Sequence, residues 1–172
     1  ITIISIFKDI HKLDKNIFYD HKATSGRGDI VKVKLFKKKL YLVDESYNSN
    51  PLSLKSALKN FDMIKVDNSK KHLVLGDMLE LGKYSKKLHL EIGKSINKTS
   101  LKNINVIGKH VKWIFNNLNK TKRGIIIKKK SQIIDLIKNN LNNNDYLMIK
   151  GSNSTGLNSL TNQIKRGKIN AL

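Results

Sequence analysis

The sequence predicts an α/β domain of three layers, built on a mostly parallel sheet with a leading β-hairpin. Two observations carry that expectation. From about residue 40 onward, apolar runs of four to six residues alternate with longer segments of helical period, the pattern left by successive βαβ units. Just upstream, "DIVKVKLF" (29–36) alternates apolar and polar residues and meets the first apolar run across "KKK" (37–39), which suits a hairpin. At 172 residues the chain is long enough for one domain with a sizeable core and short for two.

In chain order, residues 1–13 read as a helix, followed by a polar stretch that leads to "SGRG" (25–28). The predicted parallel strands are "LYLVD" (40–44), "HLVLG" (72–76), "INVIG" (104–108), "GIIIK" (124–128) and "YLMIKG" (146–151), each followed by a helix. The first helix announces its start: Asn50 can cap, Pro51 presets φ at the first helical position, and Leu52, Leu54, Leu58 and Phe61 are expected to face inward. Ser85 opens the second, with Leu88, Ile92 and Ile96 at helical spacing, and residues 109–118, 131–141 and about 155–166 supply three more.

Composition excludes several classes. There is no Cys, so disulfides and thiolate metal sites are out and nothing points to an oxidising compartment. No apolar run approaches the roughly 20 residues of a membrane span, and "ITIISIF" (1–7) has no basic flank before it. A cytoplasmic monomer is expected. The chain begins with Ile rather than Met, which suggests part of a longer protein. The net charge of +21 would ordinarily direct attention to nucleic acid. Yet the lysines are spread over the whole length among Asn and Ile, and the 6% of aromatics do not interleave with the basic runs as stacking platforms would. Solvated faces, and no nucleic-acid partner, are the expectation.

In open α/β sheets, ligands sit beyond the carboxyl ends of the strands. Three of those ends are unusual: "DESYNSNP" (44–51), "GDMLELG" (76–82) and "KGSNSTG" (150–156). Loops from separate strands converging on one edge are what a small-ligand pocket requires. No G-x-G-x-x-G and no G-x-x-x-x-G-K-[ST] occurs, which disfavours an independent dinucleotide-binding enzyme or P-loop ATPase. In "KGSNSTG", Ser and Thr either cap the next helix or, with Lys150, attract an anion. In "GDMLELG", Asp77 and Glu80 are either partners for a ligand ammonium or acids that favour the start of the helix near Ser85. His89, with no second ligand at metal spacing, reads as structural.

The phrases "LVDESYNSNP", "LVLGDMLELG" followed by "SKKLHLEIG", and "LMIKGSNSTG", in that order and after "SGRG", resemble the Mur ligase family, in particular the branch that adds D-alanyl-D-alanine to UDP-N-acetylmuramoyl tripeptide. The resemblance covers about residues 23–167. It implies that residues 25–172 form the Rossmann-like C-terminal domain and residues 1–24 the tail of the central ATPase domain with its linker. It further implies a role in peptidoglycan precursor synthesis, by an ATP-dependent ligase that works through an acyl phosphate with ATP and Mg held mainly by a central domain. The partners are then D-Ala-D-Ala, the UDP-linked tripeptide and the remaining ligase domains. On this reading the domain positions substrates and supplies no catalytic residue, and the isolated chain is expected to be inactive. By resemblance, Arg27, Glu45, Tyr47, Asn48 and Asn50 contact nucleotide, with Glu45 standing where relatives often have Asp. Asp77, Met78, Glu80, Leu81, Lys150, Ser152 and Asn153 receive the acceptor, Lys150 as its carboxylate partner, with Asn153 standing where some relatives have Arg. The competing expectation is a non-catalytic small-molecule-binding or nucleic-acid-binding module.

Overall fold

The computed structural model describes residues 26–167. The helix expected over residues 1–13 and the assignment of residues 1–24 to a central-domain tail lie outside them. Six strands form one sheet: β1 (Asp29–Leu35), β2 (Lys38–Glu45), β3 (Lys71–Gly76), β4 (Ile104–Ile107), β5 (Arg123–Ile127) and β6 (Tyr146–Lys150). Their spatial order is β1-β2-β6-β3-β4-β5. β1 pairs antiparallel with β2, and every other pairing is parallel. The leading hairpin and the parallel sheet are therefore as the alternation and the apolar runs require.

Among the described residues four α-helices connect the strands and a fifth follows β6: α1 (Pro51–Asp62), α2 (Ser85–Asn97), α3 (Lys112–Asn117), α4 (Ser131–Asn140) and α5 (Leu157–Lys165). They segregate to two faces. Leu54, Leu58 and Phe61 of α1, Ile92 and Ile96 of α2 and Ile114 of α3 share one core with Val43, Leu73, Leu75, Val106 and Met148 of the sheet. Ile133 and Ile137 of α4 and Leu157, Leu160 and Ile164 of α5 pack on the other face against Leu42, Val74, Leu147 and Ile149. These are the three layers predicted. β3 and β6 are central and covered on both sides, which is why they read as unbroken apolar runs rather than alternating ones.

Local chemistry explains the helix starts, and two expectations need correcting. Asn50 accepts from Ser53 N–H at 2.8 Å while Ser53 Oγ receives Asn50 N–H at 3.1 Å, a reciprocal cap ahead of Pro51. Leu52, expected inward, is 77% exposed. It lies two positions, about 200° of helical rotation, from the Leu54 stripe, and Ala57 completes that stripe instead. The helix expected over 109–118 runs only from Lys112 to Asn117, because the residues before it form a loop held by a side chain of another strand end, described below.

The ends of the helices at the opposite edge of the sheet are held by cations. Lys71 Nζ donates to Asp62 O at the end of α1 (2.7 Å), and Lys122 Nζ to Thr99 O and Leu101 O just past α2 (2.5 and 3.0 Å). Arg123 donates to Leu118 O and Asn116 O at the end of α3 (3.0 and 2.9 Å), and Lys38 Nζ to Lys138 O and Leu141 O at the end of α4 (both 2.6 Å). Three of these cations are the first residues of β2, β3 and β5. Lys71, Arg123 and Lys38 satisfy carbonyls that a helix end leaves without a partner, Lys122 satisfies those of the turn just past α2, and all four sit near the negative pole of a helix dipole.

Candidate functional site

Strand order decides where the three unusual loops go. β6, last in the sequence, inserts between β2 and β3. The loops after β2, β6 and β3 are therefore neighbours on one sheet edge, although about 70 residues of chain separate the last two. Two glycines let the strand ends approach: a Cβ on Gly76 would stand 3.3 Å from Gly151 Cα, and one on Gly151 would stand 3.2 Å from Gly76 Cα.

Ser152 joins all three loops. Its N–H donates to Asp77 O (3.0 Å), its Oγ accepts from Leu79 N–H (2.9 Å), and the same hydroxyl donates to Ser49 O (3.2 Å). Beside it, Lys150 Nζ donates to Asn48 O at 2.9 Å and to Glu45 Oε2 at 3.3 Å. Burial holds the Lys150 ammonium below the ordinary lysine value, the Glu45 carboxylate working in the opposite direction.

The "GRG" segment (26–28) reaches the same edge. Gly26 and Gly28 have φ of +87° and +96°, conformations that a side chain resists. Gly26 O accepts from Tyr47 N–H at 3.1 Å, and Gly28 N–H donates to Asp44 O at 2.8 Å. Between them the Arg27 guanidinium lies over the Tyr47 ring, 4.6 Å from its centroid, and Tyr47 is 41% exposed. All five residues proposed for nucleotide line one cleft of about 290 Å³, together with Lys150.

The residues proposed for the acceptor divide. Glu80, Ser152 and Asn153 line a second cleft of about 430 Å³, whose wall includes Tyr47 and Asn48 and so is shared with the first. Glu80 is exposed there and has φ +62°, an unfavourable conformation for a side chain of its size. Lys150 opens on the first cleft instead. Met78 is fully buried in the α1–α3 core, and Leu81 packs against it. Asp77 is turned inward: Oδ2 accepts from Lys109 N–H (3.0 Å) and Oδ1 from Val111 N–H (2.6 Å). It thereby pins the loop between β4 and α3 rather than the start of α2. Gly108 makes room for it, since a Cβ there would fall 2.5 Å from Oδ1.

His89 is structural. Its Nε2 accepts from Met78 N–H (3.3 Å) and its Nδ1 lies 2.8 Å from Ser85 O, an arrangement that the neutral Nδ1–H tautomer satisfies at both nitrogens. The sequence reading did not single out His110 and Trp113, whose rings stack at 5.1 Å beside His89. The segment "GKHVKW" (108–113) that holds them runs from the end of β4 into α3 and carries no motif. Among the described residues no group of three or more His, Cys, Asp or Glu side chains is arranged to hold a metal ion. No helix among them is long and apolar enough to cross a membrane.

Residues 26–153 match the family described as Mur ligase, glutamate ligase domain. The chain belongs to the Mur ligase family. Its relatives include the UDP-N-acetylmuramoyl-tripeptide–D-alanyl-D-alanine ligase of Rickettsia prowazekii, 28% identical over 161 residues, 93% of this chain and 34% of the relative. The Bacillus subtilis enzyme of the same name is 27% identical over 83% of this chain and 31% of its own. This Mur ligase domain therefore spans about a third of the length of those relatives. The fold is shared with a crystal structure of MurF ligase from Thermotoga maritima in complex with ADP, at TM-score 0.69 and 21% identity over 87% of this chain and 32% of that one. It is shared also with MurF from Acinetobacter baumannii, at TM-score 0.68 and 23% identity over 84% of this chain and 31% of that one.

Proposed function

We propose that this chain is the nucleotide- and acceptor-contacting C-terminal domain of a cytoplasmic, monomeric, ATP-dependent ligase that joins D-Ala-D-Ala to UDP-N-acetylmuramoyl tripeptide. One observation carries the reading: insertion of β6 between β2 and β3 sets the three motif loops around two clefts with a common wall. The names of the relatives and the ADP complex of the structural neighbour support it.

In that reaction ATP converts the tripeptide carboxylate to an acyl phosphate. The D-Ala-D-Ala amine then forms the amide as phosphate departs. The first cleft fits the base and ribose of a nucleotide. The Arg27–Tyr47 pair offers a planar cationic platform, and the Glu45 carboxylate offers an acceptor for a hydroxyl. The chain has no Walker-type phosphate loop and its described residues form no metal donor set, so this reading assigns the triphosphate and Mg to other domains. Among the described residues Glu80 is the one charged side chain on the wall of the second cleft, suited to an ammonium. Two ligands separated by the Tyr47–Asn48 wall would lie side by side, and orientation of this kind lowers a bimolecular barrier without a nucleophile from the protein.

The test joins this domain to the N-terminal and central domains of the Bacillus subtilis relative and follows phosphate release. The reading expects release from ATP only with both tripeptide and D-Ala-D-Ala present. Release that does not depend on D-Ala-D-Ala would sink it. The 172-residue chain alone is expected to release no phosphate.

A further inference from the structure

The Lys150 side chain is 2% exposed, and its hydrogen bonds all run sideways. An ammonium has three donors, and three oxygens from the end of β2 and the loop after it surround this one: Asn48 O at 2.9 Å, Glu45 Oε2 at 3.3 Å and Glu45 O at 3.5 Å. A ligand carboxylate could bind it only by displacing one of them. The other oxygen of the partner carboxylate, Oε1, faces Gly28, where a Cβ would stand 3.1 Å away. An Asp at position 45 would be one methylene short of this span. Lys150 thus fixes both ends of the segment 45–48, whose Tyr47 and Asn48 form the wall common to the two clefts.

We propose that Lys150 is a positioning residue that locks the Glu45–Asn48 segment for the nucleotide, and not the anchor of an acceptor carboxylate. The proposal rests on the nucleotide and acceptor reading of the two clefts for its ligands, but not for its geometry. Ser152 holds the β3 loop through Leu79 N–H and touches the β2 loop only further along, at Ser49 O, so the Glu45–Asn48 segment and the β3 loop are held by different residues.

The experiment uses the 172-residue chain with Lys150→Met, Lys150→Arg and Glu45→Gln. Amide hydrogen exchange is read at Tyr47 and Ser49, whose N–H groups are hydrogen-bonded to Gly26 O and Asn48 Oδ1, and at Leu79 as the control. Calorimetric titration follows with ATP, D-Ala-D-Ala and the C-terminal amide of D-Ala-D-Ala. Lys150→Met is expected to speed exchange at Tyr47 and Ser49 about tenfold, to weaken ATP about tenfold and to leave both dipeptides within about twofold. Lys150→Arg should restore most of the effect, and Glu45→Gln, which keeps the fold's buried lysine, should reproduce part of it. Unchanged exchange at Tyr47 and Ser49 overturns the proposal. So does a loss of D-Ala-D-Ala affinity that amidation of the dipeptide removes, because that is the signature of a direct carboxylate anchor. If the wild-type chain binds neither ligand, the ligand reading fails while the exchange result still decides what Lys150 does.

Discussion

Asp77→Ala separates a contact with ligand from support of the site. The carboxylate accepts two backbone N–H groups, from Lys109 at 3.0 Å and Val111 at 2.6 Å, and Val111 is fully buried. A hydrogen bond to a charged group contributes about 1.5–3 kcal/mol, and a buried amide left without a partner costs about 1–3 kcal/mol. The Lys109 amide lies at a more open position and can recover a water, so the total expected is about 2–4 kcal/mol. For a chain of this length each kcal/mol moves the thermal midpoint by about 2–4 °C, giving a fall of roughly 5–15 °C. Asp77→Asn keeps one acceptor oxygen and should lose about half as much. Circular dichroism melts, with urea titrations to check that the m value is unchanged, provide the measurement. An Asp77→Ala midpoint within about 2 °C of wild type would refute the reasoning. If it holds, weaker ligand binding by Asp77→Ala reflects a released β4–α3 loop, and Asp77→Asn becomes the informative variant.

Other outcomes follow from the same structure. Gly108→Ala places a Cβ 2.5 Å from Asp77 Oδ1 at a φ of +136°, so a loss of at least 2 kcal/mol is expected, and a melt near wild type would contradict the geometry. Phe61→Ala empties the centre of the α1 contact, where Phe61 is 1% exposed, and should cost about 3–5 kcal/mol, whereas Leu52→Ala should stay within about 0.5 kcal/mol because that side chain faces solvent. Burial holds His72 and His89 below the ordinary imidazole value of 6.5. The unfolded chain therefore binds more protons just below that pH, and stability, complete above about 6.5, should fall as the pH drops through the window beneath it. A urea midpoint equal at pH 7.5 and 5.5 would show that neither histidine is held neutral.

Much of the fold was legible because it rests on local patterns. The central strands announce themselves as apolar runs, α1 by Asn50 and Pro51, and the hairpin by alternation in "DIVKVKLF". Leu52 was misplaced because hydrophobicity alone does not say which side of a stripe a residue occupies; rotation from Leu54 does. The site was legible as three loops, but not as two clefts. Which loops touch depends on β6 entering between β2 and β3, a non-local pairing that no residue near position 150 records. The directions of Asp77 and Lys150 were hidden for the same reason. A carboxylate or an ammonium at a strand end serves a ligand or a neighbouring loop equally well, and the choice is made by amides and carbonyls that arrive from elsewhere in the chain.

The cations at the amino edge of the sheet bear on how the +21 charge should be understood. A charge total treats every lysine as available to an anionic partner. Lys71 and Lys122 are buried, and with Lys38 and Arg123 they face carbonyls at or just past the ends of four helices, whose partial negative charge offsets their own over short distances. To a phosphate outside, such a lysine is half of an internal dipole pair rather than a free positive charge. A chain can therefore be strongly basic by count and still present a weaker external field than the count implies. Replacing those four with neutral residues to make the protein less basic would remove helix ends before it removed any affinity for polyanions.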